Sequence, residues 1–156
     1  MNWEAFTRFS SPDIQLHWAT VTVAFVAGLL QLLLSKGTQR HRWVGRAYVV
    51  MMVVTALAAF FIRSPAPETP MGYLSLTGMS WIHLFVPLTL LVVPAGVVAA
   101  RRGNMRAHKR RMIGSFLGAI VIAGAFTFTP GRRMHLLFLG DEAAVQRWEE
   151  HFGGRD

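Results

Sequence analysis

RRGNMRAHKRR, residues 101–111, decides how this chain is read. It holds six Arg or Lys residues and no acid in eleven positions, and an apolar run lies on each side of it. A soluble core has no use for such a segment. Membrane insertion leaves Lys- and Arg-rich loops on the cytoplasmic side, so the flanking runs read as membrane spans and the loop orients them.

The composition agrees. The chain has 156 residues, enough for one domain, with 53% hydrophobic residues and only 15% charged ones. A net charge of +8 raises the question of nucleic acid. The basic residues, however, sit in loops between apolar runs and not on an amphipathic face with interleaved aromatics, so no nucleic-acid partner is expected. There is no Cys, which removes disulfides, thiolate metal sites and Cys-anchored haem. The first residues lack a basic leader and a small-residue cleavage site, so the first apolar run is read as a retained span.

Taken in order, residues 1–13 form an interfacial segment carrying Trp3, Phe6 and Phe9. Ser11 and Pro12 offer an N-cap and a first helical residue. A transmembrane domain over 14–130 follows, with spans at about 14–34, 43–62, 81–100 and 110–129, each near the ~20 residues a bilayer needs. Thr38 and Asn104 are placed to cap the second and fourth spans. Pro87 and Pro94 fall inside the third, where a kink is expected. Gly114 and Gly118 form a GxxxG pair whose expected use is close helix contact, within the chain or in a homo-oligomer or larger membrane complex. Residues 131–156 read as an amphipathic tail, with Asp141 as a cap and Val145, Trp148 and Phe152 on one face.

The connections after spans 1 and 3 hold ten basic residues and no acid, while all eight acids lie in the two tails and the middle loop. The fold expected is therefore all-α: an integral four-helix up-down bundle in the lipid bilayer of a bacterial inner membrane. Both termini lie on the outer, periplasmic side, and short interfacial helices stand at both ends.

Four histidines fall on that frame. His17 and His83 lie about one turn in from the outer face, on spans 1 and 3. His41 and His108 lie at the inner ends of spans 2 and 4. Helices two apart face each other across a four-helix bundle, so each face holds a pair. Two facing imidazoles without a neighbouring carboxylate suit the two axial positions of haem b iron. Zinc fits less well, since it wants about four ligands. On this reading Gly45, one turn after His41, leaves room for the macrocycle, and Arg42, Arg46 and Arg111 pair with its propionates. A plainer reading stands beside it. His41 and His108 are then solvated loop residues, and His17 and His83 bond to side chains or backbone carbonyls. The arginines follow from charge topology and the glycines from helix packing. His135 and His151 are read as surface residues, with His135 available near the outer pair.

The motifs HRxxGR (41–46), IHL (82–84), RAHxRRM (106–112) and TPGR (129–132), in that order, resemble the DUF2306 family of small bacterial integral membrane proteins. The resemblance covers roughly residues 16–135. A weaker likeness in histidine placement is to the cytochrome b561 and ferric-reductase type core, in which four helices carry two haems b. It implies electron transfer through His17, His83, His41 and His108. It departs in ligand spacing and in lacking flanking helices.

Two functions follow as expectations. One is a b-type haem protein moving electrons within or across the membrane, with quinol as donor. The other is a non-catalytic accessory or assembly subunit of a larger membrane complex, without cofactor. Ion transport finds no Asp, Glu or Lys inside the spans, and hydrolysis finds no acid to orient a histidine toward a serine.

Overall fold

The structure, a computed structural model, describes residues 10–62 and 81–128, together with 135 and 138. The expected interfacial segment over 1–13 lies outside the described residues as far as Phe9. The expected tail over 131–156 does so apart from His135 and Phe138.

Four helices carry the fold: α1 (Pro12–Leu33), α2 (Gln39–Phe61), α3 (Phe85–Arg101) and α4 (Met105–Thr127). Counting the third from Ile82, all four are long and apolar enough to cross a membrane. α1 touches α2, α2 touches α3, α3 touches α4, and α4 returns to α1, so the helices form a closed ring in chain order. The α1/α2 hairpin is the most extensive of these interfaces.

Each helix boundary has a local cause. Pro12 opens α1, where its missing N–H is not needed, and Asp13 sits at the positive end of the helix dipole. Ser11 occupies the N-cap position without making a capping hydrogen bond. At the other end, Lys36 Nζ donates to the carbonyls of Gln31 (2.5 Å), Leu32 (3.0 Å) and Leu34 (3.0 Å), which have no partner within the helix. The Thr38 hydroxyl then accepts the His41 N–H at 3.2 Å and starts α2. α3 stops at Gly103, whose φ of +75° suits a residue without Cβ. The N–H groups of Gly103 and Asn104 return to Ala100 O (3.0 Å) and Ala99 O (2.9 Å), the hydrogen-bond pair of a Schellman stop. Asn104 also starts the next helix, since its side chain accepts the Ala107 N–H at 3.0 Å.

Two local features differ from the expected spans. The third does not begin as an α-helix: Trp81–Leu84 form a 3₁₀ turn, which leaves Pro87 in the first turn of α3. There the ring removes no intrahelical bond, and only Pro94 is interior. The fourth helix widens to π geometry over Phe116–Ile122, FLGAIVI. Gly118 and the β-branched run Ile120-Val121-Ile122 are poor α-formers, so tertiary packing decides that stretch.

The core is small. Ala24 and Ala27 of α1, Tyr48 and Met52 of α2, Val93 of α3, and Phe116 and Ile120 of α4 form it. Phe116 stacks on Phe25 at 6.0 Å and lies against Gly28, where a Cβ would collide with its ring. No more than 28% of any span is buried inside the bundle, and Leu33, Phe61 and Leu91 stand out from it. Apolar surface on that scale around four closed helices requires lipid.

The tight small-residue contacts are Gly28 against Phe116 and Gly96 against Met112. They are not at the expected GxxxG pair. A Cβ at Gly114 meets nothing within 4 Å, and one at Gly118 only Phe85 at 3.5 Å. Gly28→Ala is therefore expected to cost about 1–3 kcal/mol by overpacking, while Gly114→Ala stays within about 0.5 kcal/mol of the parent. Unfolding of the purified variants in detergent micelles measures both.

Candidate functional site: two histidine pairs

At the end of the bundle away from the basic loops, His17 and His83 both dock on α2. His17 is half-buried, and its Nδ1–H donates to Thr55 O at 3.0 Å. Around it lies a polar knot: Thr55 Oγ1 donates to Thr20 Oγ1 at 2.8 Å, and Thr20 Oγ1 donates back to Leu16 O at 2.8 Å. His83 Nε2–H donates to Ile62 O at 3.1 Å, the carbonyl just past the end of α2. Both rings thus bond backbone carbonyls of α2 or of the residue that ends it. They do not share the common depth expected from the sequence. Their acceptors are seven residues apart, about 10 Å along α2, and His83 belongs to the 3₁₀ turn at the very start of the third span.

At the basic end, His41 sits in the first turn of α2 and His108 in the first turn of α4. Both are half-buried. His108 Nδ1–H donates to Gly96 O at 2.9 Å. A carbonyl can only accept, so in the neutral ring the proton is on Nδ1 and Nε2 keeps its lone pair. His41 Nδ1 is buried without a hydrogen-bond partner among the described residues. Its backbone carbonyl accepts Gln31 Nε2 at 2.6 Å.

The other expected site residues are placed as follows. Gly45 faces the Gln31 amide, 3.1 Å from where a Cβ would be, so a side chain of α1 uses the space expected for a macrocycle. Arg46 lies over the Trp43 ring at 4.7 Å. Arg111 Nη1 donates to Ala95 O at 2.9 Å, next to the carbonyl His108 uses. Arg42 is exposed. His135, read as a surface residue, is half-buried, and its Nδ1 has no partner among the described residues. His151 lies outside the described residues. Among the described residues no group of three or more His, Cys, Asp or Glu converges.

A four-span helical bundle with these motifs at its ends matches the family described as "Predicted membrane protein (DUF2306)", over residues 14–142. The chain belongs to the DUF2306 family. No curated protein and no solved structure matches it. This DUF2306 chain is an all-helical, multi-pass membrane protein in contact with the lipid bilayer.

Sequence reading missed three polar contacts that hold the site. Gln31 reaches α2, Arg111 reaches α3, and Tyr48 OH pairs with Ser115 Oγ at 3.2 Å between α2 and α4. The one available signal was a polar side chain inside an apolar run, which tells that a partner exists but not which. His17→Ala and His108→Ala each remove a hydrogen bond between helices and are expected to cost about 1–2 kcal/mol, whereas exposed Arg42→Gln changes stability by less than about 0.5 kcal/mol. Unfolding of each variant in detergent checks the ranking.

Proposed function

We propose that this protein is a b-type haem protein that moves electrons within or across a bacterial inner membrane, with quinol as the donor class. His41 and His108 would hold the group at the basic end, and His17 and His83 would be the candidate donors at the other. The observation that carries the reading is the His108 Nδ1–H bond to Gly96 O. An imidazole that ligates a metal through one nitrogen ordinarily donates the other N–H to a carbonyl or carboxylate, and this bond leaves Nε2 as the lone-pair nitrogen. His41, at the same end, has a buried ring nitrogen with no partner among the described residues, which supports a role for it as the second nitrogen donor. A bound haem b would supply reversible one-electron transfer. The chain's own part is to hold the imidazole tautomer and present Arg42 and Arg46 at the charged end. Haem beside Gly45 would require Gln31 to leave its bond to His41 O.

A second reading is favoured by a different observation. His17 and His83 both donate to carbonyls of α2, which is what structural fasteners do. On that reading the chain is an accessory or assembly subunit of a larger membrane complex, without cofactor. The two readings part on a dithionite-reduced minus air-oxidised spectrum of the purified protein, with haem quantified per chain. A b-type α-band is expected, lost from the basic-end site in His108→Ala. Two haems per chain assign both pairs. One haem, kept in His83→Ala, assigns the basic-end pair alone. A colourless protein from haem-replete cells overturns the redox reading in favour of the subunit.

The charge asymmetry supports an orientation with both termini outside. A reporter fused after Asp156 is expected in the periplasm, and cytoplasmic activity reverses the orientation.

A further inference from the structure

α3 and α4 leave between them an open groove of about 320 Å³. Its walls are apolar, with Leu88 and Val92 from α3 and Gly114 and Gly118 from α4. Arg110 and Arg111 stand at its basic end. The space is there because α4 carries glycine: a Cβ at Gly114 meets nothing within 4 Å. From Arg110 to Gly118 the groove runs eight residues of helix, about 12 Å, against roughly 15 Å for half the hydrocarbon thickness. The groove thus reaches from the charged interface most of the way to the midplane.

We propose that this groove holds an acyl chain of an anionic phospholipid whose phosphate pairs with Arg110, in the leaflet at the basic end. The charge balance selects the occupant. The two basic connections contain ten Lys or Arg residues and no acid, so a negative headgroup is the complement. Arg110 is exposed at the mouth, while Arg111 spends one nitrogen on Ala95 O and fixes the wall beside it. A second copy of the chain fits worse. Two copies in one membrane share their orientation, so a two-fold contact along this groove brings Arg110 and Arg111 beside their own counterparts. The GxxxG pair, in which Gly114 meets no neighbour among the described residues and Gly118 only Phe85, becomes the floor of a lipid site.

The test is native mass spectrometry of the full chain in detergent, with phosphatidylglycerol and phosphatidylcholine of identical acyl chains as probes. Phosphatidylglycerol is expected to be retained in preference. Arg110→Gln weakens its binding about fivefold, the factor carried by one basic side chain near a headgroup. Gly114→Leu fills the groove and abolishes retention. Gly124→Leu, at another position in α4 where a Cβ meets nothing, leaves it unchanged. If Gly114→Leu does not fold, Arg110→Gln still decides the matter. Equal retention of the two lipids overturns the proposal. So does undiminished binding in Arg110→Gln, displacement of phosphatidylglycerol by decylubiquinone, or a dimer that Gly114→Leu converts to monomer.

Discussion

The backbone carbonyl is the group on which this structure turns. In hydrocarbon there is no water to satisfy a carbonyl left over at a helix end, and each one unpaired costs several kcal/mol. The chain answers with long polar side chains that reach out of one element to the carbonyls of another. Lys36 closes the end of α1 and His83 the end of α2. His17, Gln31, His108 and Arg111 bond carbonyls on neighbouring helices. Nearly every polar side chain near the bundle therefore acts as a donor, and the absence of acids among these side chains follows from the same need. The acceptors are already supplied by the backbone.

That arrangement ties the histidines to the fold before any cofactor is considered. His17 and His83 stitch α1 and the start of α3 to α2, and His108 stitches α4 to α3. A ring held this way has a defined tautomer. A structural fastener and an oriented ligand are thus the same local geometry, seen with or without something at the second nitrogen. The basic-end pair differs from the other because His41 has a buried nitrogen with no partner among the described residues, and a buried polar atom left unmatched is expensive to keep without a use.

The core shows how little apolar packing a bundle in lipid requires. Met52 and Val93 are the largest side chains fully withdrawn from the surface, and Phe116 closes the centre by lying on a glycine. Lipid is as apolar as leucine, so burial does not drive these helices together; close fit and hydrogen bonds between helices do. The widened turns of α4 fit that balance, since a helix of glycine and β-branched residues yields to its neighbours. The open groove beside α3 is the other outcome of the same slender helix, on the side where nothing fills it.

Much of this was legible in the residues alone. Four apolar runs of span length, two basic connections on either side of a neutral one, and Thr38, Gly103 and Asn104 at the breaks define an all-α membrane bundle and its connectivity. These signals are local: hydropathy over ~20 residues, a cap, a glycine stop. The placement of His17 and His83 toward one end of the bundle and of His41 and His108 toward the other was also readable, because antiparallel helices bring alternate members to the same end. What tertiary structure alone decided was what each side chain touches. Gly28 and Gly96 make the tight contacts while Gly114 faces open space, Gln31 covers Gly45, and His83 sits in a 3₁₀ turn at a different level from His17. The spacing of residues along a helix sets which face they share. The rotation of that helix about its axis and its slide against its neighbours are settled only by the fit of all four surfaces together, and those two quantities choose the contacts.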